Sequence, residues 1–243
     1  MSQYLDQHDP DRIDHREALV DRWFTGTGKS YDRVVAWTTL GLDGYWKKKL
    51  LQAMPDTATR VLDLACGTGI ALEKLARKYP EAKLVGVDLT QEYLDVAQAK
   101  LAELGVQAEL IHSNAETAPL TGSFDAVCSS YIPKYVDPDA LLGTITPHLA
   151  PGAKVVLHDF TRPKTWFWRK VWRVWMWMLN TFGRRVFPAW EKAFDEELVT
   201  VIRDTHWPRD FMDAFARHGY VDIERQNLSA RSAMIVSARR PQA

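Results

Sequence analysis

The sequence is short of cysteine and of long apolar segments. Its 243 residues include only Cys66 and Cys128 as cysteines, and no paired Cys/His spacing typical of a structural zinc site accompanies them. Neither a disulfide framework nor a metal site is therefore expected, and a reducing cytosol fits this usage. No uninterrupted apolar segment reaches the length needed to span a bilayer. The first residues are polar and acidic, unlike a secretory or transit signal.

An excess of charge of either sign is also missing. The 31 basic residues equal the 31 acidic residues, and the isoelectric point lies near 7.1. Overall charge therefore gives no reason to expect a nucleic-acid partner. With 46% hydrophobic residues, the chain is long enough to bury a full core as one α/β domain with a modest insertion.

The chain is organised around residues 61–69, Val-Leu-Asp-Leu-Ala-Cys-Gly-Thr-Gly. This pattern predicts a buried strand, a glycine turn and a helix that starts at Ile70. A second apolar run, residues 84–88, ends in Asp88 about twenty positions later. A doubly wound sheet places at this position the carboxylate that binds ribose hydroxyls. Together the two runs predict a nucleoside-binding fold.

Strand and helix patterns alternate along most of the chain. Such alternation predicts right-handed crossovers and a parallel sheet, with ligands at the carboxyl ends of the strands. We expect a doubly wound, mostly parallel, seven-stranded Rossmann-like α/β sheet with a Trp-rich amphipathic helical insertion after strand five. The predicted strands are Arg60 onward, 83–88, 108–112, 124–129, 154–159, 220–227 and 233–238. The predicted rim of the site is 65–69, Asp88, 114–116, 129–131 and 158–160.

The remaining segments are predicted to surround this sheet. We expect helices over 13–24, over 31–54 with a break near Gly41, over 70–79, 90–104 and 208–218, and one opened by Asp137 and Pro138. The last two strands read as a hairpin at the sheet edge. The predicted division is an N-terminal helical cap (1–55), a cofactor-binding domain (56–160 with 204–243) and a helical insertion (161–203), either membrane-facing or a lid over the substrate.

The glycine turn has the chemistry of a ligand site. Gly67 and Gly69 lack a Cβ, so the backbone there can approach a ligand closely. The turn has no third glycine, and Asp63 precedes it within the strand. In this form it resembles the first motif of the class I S-adenosylmethionine-dependent methyltransferases. The resemblance implies S-adenosylmethionine as cofactor, Asp88 on its ribose and residues 114–116 beside its adenine. The full predicted cofactor-binding set is Tyr31, Asp63, Ala65, Gly67, Gly69, Asp88, Leu89, Asn114, Ala115, Glu116 and Ser129.

A narrower resemblance covers residues 30–163 and, more weakly, 205–238. The matching pieces are Tyr31-Asp32, Leu40-Gly41-Leu42, Trp46-Lys47, residues 62–69, Asn114-Ala115-Glu116, Phe124-Asp125, Pro151-Gly152 and Asp159-Phe160. They look like the C-methyltransferases of ubiquinone and menaquinone biosynthesis. The chain departs from that family after strand four, where Lys134 and Tyr135 stand in place of an Arg-Asn pair. This departure lies beside the expected pocket of the methyl acceptor.

The chemistry of methyl transfer suggests the candidate catalytic residues. An in-line displacement on a sulfonium is accelerated mainly by holding donor and acceptor together. A carbon acceptor also needs an electron-rich ring, which loss of a phenolic proton provides. His158, at the end of strand five, is the predicted base because its usual pKa suits proton exchange at neutral pH. A structural histidine is the alternative. Tyr131 and Tyr135 are predicted to orient the acceptor, or to serve only as pocket walls.

The segment from Phe160 to Trp190 contains no acidic residue, although arginines, lysines and tryptophans are frequent in it. At helical spacing, Trp168, Val171, Trp172, Trp175, Met178 and Leu179 share one face, and Arg169, Lys170 and Arg173 lie opposite. We expect residues 164–182 to form a helix in the membrane interface, over the mouth of the active site. The alternative is a core helix with a solvated basic face. RNA binding is disfavoured because no basic aromatic sheet motif accompanies the segment.

These observations predict a methyltransferase that acts on a membrane-associated lipid. The preferred acceptor is a ring carbon of a polyprenyl hydroquinone, and a phospholipid amine of the phosphatidylethanolamine type is the alternative. A non-catalytic cofactor-binding module that joins a protein partner is the alternative of another class. The expected location is the cytoplasm, peripheral to the inner face of the membrane. The oligomeric state is left open.

Overall fold

A computed structural model describes Ala18 and residues 22–190 and 196–242 of this protein. Its central element is a seven-stranded sheet in the order β3-β2-β1-β4-β5-β7-β6. Strands β1 to β5 run parallel to one another, whereas β7 is antiparallel to both β5 and β6. The strands are β1 (Arg60–Leu64), β2 (Lys83–Asp88), β3 (Ala108–His112), β4 (Phe124–Ser130), β5 (Leu149–Phe160), β6 (Val221–Leu228) and β7 (Ala233–Arg239). The predicted mostly parallel sheet is confirmed.

Helices connect and cover these strands. They are α1 (Tyr31–Thr38), α2 (Leu42–Ala53), α3 (Ile70–Lys78), α4 (Gln91–Glu103), α5 (Pro138–Ile145), α6 (Trp166–Met178), α7 (Glu196–Asp204) and α8 (Trp207–Arg217). Asp137 begins α5 because its carboxylate accepts the N–H groups of Asp139 and Ala140, with Pro138 in the first turn. Gly41, at φ 75°, separates α1 from α2.

The order of the strands decides where a ligand can bind. The chain builds outward from β1 through β2 to β3, and then returns to place β4 on the other side of β1. The connections after β1 and β4 therefore leave the sheet in opposite directions. They open a crevice at the carboxyl ends of these strands, as in other doubly wound sheets.

The sheet separates two apolar cores. Leu62 and Leu64 of β1 face one core, whose largest members include Phe124, Phe211 and Phe215. Val61 faces the other core, which contains Trp46 and residues of α3 and α4. Alternate residues of one strand point to opposite faces. The unbroken apolar run in β1 therefore reflects burial on both sides, as expected for a strand in the middle of a parallel sheet.

The structure differs from the sequence predictions in several bounds. Strand β5 begins at Leu149 rather than at 154, because its first residue pairs with Phe124 before a bulge shifts the register. Helix α7 was not predicted. The helix expected over 164–182 is α6, and one π-helical turn, Leu179–Gly183, follows it. Most of the helix predicted over 13–24 lies outside the described residues.

Two further points concern the periphery. In the described part of the chain, no helix is both long and apolar enough to cross a membrane. The division into cap, binding domain and insertion stays a prediction. Strands β6 and β7 form the predicted hairpin, and β7 rather than β6 joins it to the parallel strands.

Candidate active site

A cavity of about 630 Å³ opens at the carboxyl ends of the central strands. Its floor is formed by the turns that follow β1, β2 and β4. Residues of α1 and α2 line one side, and the face of α6 that points towards the sheet lines another. One cavity therefore contains both the predicted cofactor motifs and an extensive aromatic wall. Its predicted members are Tyr31, Ala65, Gly67, Asp88, Leu89, Asn114, Ala115, Glu116, Tyr131 and Tyr135.

The glycine turn after β1 is held by Asp88. The carboxylate of Asp88 accepts the N–H of Gly67 at 2.8 Å and that of Thr90 at 2.9 Å. Ala65 and Gly67 have φ angles of 54° and 55°, so the turn depends on the left-handed conformation. A Cβ at Gly67 would meet only the ring of Tyr93, at 3.9 Å. The space above Gly67 is therefore open to a ligand.

Asp88 has the position and the chemistry expected of a ribose-binding carboxylate. Burial raises its pKa, and its hydrogen bonds from Thr90 and Gly67 oppose that rise. Each carboxylate oxygen can accept more than one hydrogen bond. Asp88 can thus hold the glycine turn in place and still accept ribose hydroxyl groups.

The turn that would flank the adenine is fixed by its own polar groups. The side-chain oxygen of Asn114 accepts the N–H of Glu116 at 2.7 Å. The carboxylate of Glu116 in turn accepts the N–H of Asp137 at 2.8 Å, just before α5. Asn114 and Glu116 therefore maintain the shape of this wall, and both residues line the cavity.

Residues that precede α1 close over the cofactor side of the cavity. The carboxylate of Glu92, in the first turn of α4, accepts the N–H groups of Gly26 at 2.8 Å and Gly28 at 3.1 Å. The hydroxyl of Thr27 is 2.6 Å from that of Tyr93. These contacts hold the ring of Tyr31 against Tyr93, with 5.0 Å between the centroids. Tyr31 is thereby placed in the cavity wall.

The acceptor side of the cavity is aromatic. Tyr131 stacks on Phe160 with 4.8 Å between ring centroids and an interplanar angle of 17°. Trp46 contacts the same phenylalanine edge-on at 5.6 Å. Tyr131 also has φ 72°, an unusual conformation for a bulky residue. It is maintained by the N–H of Tyr131, which donates to the carbonyl of His158 at 2.8 Å.

Two buried ion pairs lie against this aromatic wall. Lys134 donates to Asp159 at 2.9 Å, and its Nζ lies 4.2 Å from the ring centroid of Tyr135. Burial lowers the pKa of Lys134 and raises that of Asp159, and the attraction between the two opposes both changes. The second pair joins Lys47 to Asp43, one turn apart on α2. Asp43 also accepts the hydroxyl of Tyr131 at 2.6 Å.

Helix α6 forms the roof of the cavity. The residues that face inward are Trp168, Val171, Trp172, Trp175, Met176 and Leu179. The indole N–H of Trp175 donates to the carbonyl of Thr38 at 2.9 Å, which ties the roof to α1. The predicted tryptophan face is therefore correct except that Met176 replaces Met178. This face lines the cavity, and the expectation that the helix lies in the membrane interface over the mouth of the site stays a prediction.

A different set of apolar residues is presented to the outside by α6. Trp166 is 65% exposed and Trp177 is 62% exposed. The ammonium of Lys170 lies 5.0 Å from the ring centroid of Trp166. The other exposed apolar residues of this surface are Phe167, Val174, Met178 and Phe182. We call this set, together with Arg169, Lys170 and Arg173, the outer face of α6.

Four predicted site residues lie outside the cavity lining. The Ser129 hydroxyl is buried and donates to the carbonyl of Leu64 at 2.7 Å. Gly69 begins α3 at φ 80°, and a Cβ there would meet Ala97 at 3.1 Å, so its role is close packing against α4. Cofactor contacts from these residues stay predictions.

Asp63 is the third of these residues. Its carboxyl is fully buried, and burial raises its pKa to about 7. One oxygen accepts the thiol of Cys128 at 3.4 Å. The other has no hydrogen-bond partner among the described residues. Asp63 therefore lies beneath the glycine turn, and direct contact with the cofactor stays a prediction.

His158 is the fourth predicted site residue that lies outside the cavity lining. Its ring is fully buried and packs against Trp46 and Tyr131, at centroid distances of 5.7 and 5.1 Å. Burial, and then the cations of Lys47 and Lys134, lower its pKa well below the usual value. These surroundings keep the imidazole neutral and separate it from the cavity by two aromatic rings. Its predicted role as a base has no contact with the cavity to support it.

Sequence reasoning missed part of the acceptor wall. Trp46 was noted only as part of a family resemblance, and Ser229, Ala230 and Ser232 were not singled out, yet all four contribute to the lining. Phe160 was predicted at the rim but not as an aromatic partner of Tyr131. The ion pair beneath Tyr131 was missed as well. The i, i+4 spacing of Asp43 and Lys47 is a usable signal for an ion pair on a helix, but nothing in that spacing predicts that it is buried.

Comparison with known proteins agrees with this geometry. A family model described as a methyltransferase domain matches residues 61–152, which include the glycine turn, Asp88 and the turn at Asn114. The chain is an S-adenosylmethionine-dependent methyltransferase. The residues around the cofactor side of the cavity fit this donor, since they supply a ribose carboxylate and an open glycine turn.

Two relatives match most of this chain rather than its central part alone. A demethylmenaquinone methyltransferase of Lactococcus lactis is 28% identical over 228 residues, which cover 86% of this chain and 85% of the relative. A ubiquinone/menaquinone biosynthesis C-methyltransferase of Desulfotalea psychrophila is 27% identical, covering 84% and 83%. Among solved structures, geranyl diphosphate C-methyltransferase from Streptomyces coelicolor superposes with a TM-score of 0.61 at 14% identity, covering 98% of this chain and 86% of that one. This last likeness concerns the fold.

Proposed function

We propose that this methyltransferase transfers a methyl group from S-adenosylmethionine to a ring carbon of a polyprenyl hydroquinone. The observation that carries the proposal is the continuous cavity that joins the glycine turn to a wall of Trp46, Tyr131 and Phe160 under the tryptophan roof of α6. A flat aromatic acceptor with a long apolar tail matches such a lining. The names of the two relatives described above support the same acceptor class.

The methyl donor and the methyl acceptor are bound by different residues at the two ends of the cavity. Gly67 and Asp88 hold the methyl donor at one end of the cavity, and the aromatic wall holds the acceptor ring at the other. Alignment of the acceptor carbon with the sulfonium methyl then accelerates the displacement, and effective molarities of about 10⁵ M or more are available from such positioning. The roof of α6 excludes water, so the electron-rich ring meets the methyl group in an apolar environment.

The phospholipid amine is less well supported. An amine headgroup carries its charge into the site, and in the cavity wall Lys134 is itself a buried cation paired with Asp159. The two carboxylates near the acceptor side, Asp43 and Asp159, already form ion pairs with lysines. Lys134 and Tyr135, which stand in place of the Arg-Asn pair of the quinone methyltransferases, change the polar part of the cavity wall but leave the wall aromatic.

We further propose that the outer face of α6 rests on an anionic membrane surface. Residues 160–190 contain no acidic residue, and each basic residue near such a surface contributes about 1 kcal/mol. Trp166 and Trp177 supply the exposed interfacial aromatics. Because the opposite face of the same helix is the cavity roof, a lipid-tailed acceptor would enter from the side that meets the bilayer.

The acceptor is tested directly. Purified protein is incubated anaerobically with methyl-labelled S-adenosylmethionine and, in parallel, with a reduced demethylmenaquinone analogue, a reduced demethylubiquinone analogue and phosphatidylethanolamine. We expect label on the ring carbon of a hydroquinone. Label on the lipid amine, or on none of the three, would contradict the proposed acceptor.

The membrane surface is tested with charge reversal. Arg169, Lys170 and Arg173 changed together to Glu should abolish sedimentation with vesicles containing phosphatidylglycerol and leave S-adenosylmethionine binding intact. A matched control makes the same change at Lys74 and Arg77 on α3 and at Lys83, the first residue of β2. Vesicle binding that survives the first set of changes, or is lost equally in both, would refute the assignment of this face.

A further inference from the structure

The proton of the Tyr131 hydroxyl is committed to a carboxylate. Tyr131 follows β4 and lines the cavity, and its hydroxyl donates to Oδ1 of Asp43 at 2.6 Å. Asp43 lies in the first turn of α2 and is nearly buried, and its carboxylate is paired with Lys47. A carboxylate can only accept, and a phenol has a single proton. The free lone pairs of the Tyr131 oxygen can therefore only accept a hydrogen bond from a ligand.

The surroundings of this pair favour negative charge on a ligand. The ammonium groups of Lys47 and Lys134 lie 4.8 and 5.8 Å from the ring centroid of Tyr131. Both are buried, so their fields are weakly screened. An acceptor hydroxyl at Tyr131 is thus placed where its proton has a path to a carboxylate and where the oxyanion that remains lies near two cations.

We propose that Tyr131 and Asp43 act together as the proton acceptor for a hydroxyl group of the methyl acceptor. This inference rests on the proposed function, since it assigns the base for that reaction. The hydroxyl proton of the hydroquinone passes to the Tyr131 oxygen as the proton of Tyr131 passes to Asp43. The ring carbon then forms a bond to the methyl group while the bond from sulfur to that methyl breaks, which leaves S-adenosylhomocysteine. The methylated carbon then loses its proton to solvent, which restores the aromatic ring, and the proton held by Asp43 returns through Tyr131 to the ring oxygen.

Tyr131 touches the acceptor in this scheme and is the catalytic residue, whereas Asp43 acts through it and is a positioning residue. Burial, and then the charge of Asp43, raise the pKa of Tyr131 well above its usual value. The phenol is therefore a neutral relay rather than a standing phenolate. The other titratable or charged groups around the pair are Lys47 on α2, Tyr31 on α1, Lys134 and Tyr135 after β4, and His158 and Asp159 on β5.

The same hydrogen-bonding pattern distinguishes the reduced from the oxidised form of the methyl acceptor. A hydroquinone hydroxyl can donate to the Tyr131 oxygen, but a quinone carbonyl has no proton and would meet that oxygen lone pair to lone pair. A site that leaves a buried polar group unpaired rejects the mismatched ligand. The pair therefore selects the reduced acceptor, which is also the form whose ring is nucleophilic.

The kinetic test uses Tyr131→Phe and Asp43→Asn. The first keeps the ring that stacks on Phe160, and the second keeps an oxygen that Lys47 can bind. Matched controls are Tyr45→Phe, an exposed tyrosine on the same helix as Asp43, and Asp95→Asn, an exposed carboxylate on α4. We expect kcat on the reduced quinol to fall about 10²- to 10⁴-fold in both test variants, the range for loss of a general base, with unchanged affinity for S-adenosylmethionine and unaltered kcat in the controls.

Separate measurement of kcat and KM distinguishes a positioning role from a structural one. Asp43→Asn should lower kcat and leave the KM for the quinol nearly unchanged, because the Tyr131 ring and its hydroxyl still form the wall. If either folded test variant retains wild-type kcat, or if Asp43→Asn changes KM rather than kcat, the inference is overturned.

A binding experiment keeps the inference testable apart from turnover. With S-adenosylhomocysteine bound and oxygen excluded, calorimetry compares 1,4-dihydroxynaphthalene with 1,4-naphthoquinone. Wild type should bind the reduced compound about tenfold or more tightly, since the oxidised compound leaves a buried acceptor unpaired, and Tyr131→Phe should lose this preference. An equal preference in both proteins would refute the inference. Absence of hydroquinone methylation by wild type, with the binding preference intact, would instead contradict the proposed function.

Discussion

Asp63→Asn should stabilise the protein at alkaline pH and leave its stability nearly unchanged in mild acid. The carboxyl of Asp63 is fully buried, and burial raises its pKa from 3.8 to about 7. One oxygen has no partner in the described part of the chain, and the other accepts only the weak donor of Cys128. The folded protein therefore holds a neutral carboxyl at a pH where the unfolded chain holds a carboxylate.

The direction in which stability changes with pH follows from the number of protons that the native and unfolded states bind. Between pH 4 and 7 the native state binds one more proton at Asp63 than the unfolded state does, so stability falls as pH rises. The stability that the neutral carboxyl contributes is fully present below pH 3.8 and is lost as pH rises through about 7. Because one unit of pKa difference corresponds to 1.36 kcal/mol, the loss amounts to about 4 kcal/mol. Asparagine has the shape of the neutral acid and no proton to lose, so the variant should not show this decline.

The assay is urea denaturation of the cofactor-free protein at pH 5, 6, 7 and 8, with wild type, Asp63→Asn and the exposed control Asp95→Asn. The free energy of unfolding of Asp63→Asn relative to wild type should rise by about 2 kcal/mol or more between pH 5 and pH 8. The control should show no such trend. A difference between Asp63→Asn and wild type that is constant across this range would refute the raised pKa and the reasoning from burial.

Three other substitutions test the site and its supports. Asp88→Ala should weaken S-adenosylmethionine binding by about 1.5–3 kcal/mol, the range for hydrogen bonds to a charged group; calorimetry that finds unchanged affinity would exclude Asp88 from ribose binding. Lys134→Met should lower the free energy of unfolding by about 3–5 kcal/mol, because it leaves the buried carboxylate of Asp159 without its partner; thermal denaturation with a near-normal midpoint would contradict this. Gly86→Ala should destabilise the sheet by about 1–3 kcal/mol, because a Cβ there would lie 2.8 Å from the sulfur of Cys66; urea denaturation that matches wild type would show that the neighbours give way freely.

Short-range sequence patterns were enough to predict the sheet and its ligand-binding rim. The buried runs that end at Leu64 and Asp88, and the glycine turn between β1 and α3, are short-range patterns. Their meaning depends on strand period, helix period and the freedom of glycine, all of which operate within a few residues. Once the strands are parallel and adjacent, their carboxyl ends must meet at one edge. The placement of Asp88, Asn114 and Glu116 around one cavity follows from that rule alone.

Which side chains face the cavity depends on contacts between segments that are far apart in the sequence. A helical wheel separates the two faces of α6 but cannot say which face meets the sheet, and the contact that settles it joins Trp175 to Thr38 across 137 residues of sequence. The hydrogen bond from Tyr131 to Asp43 spans 88 residues. His158 was predicted at the rim from its place at the end of β5, and it is indeed there. Its burial behind Trp46 and Tyr131 depends on how α2 packs on β5, and packing between distant segments leaves no trace in the local spacing of residues.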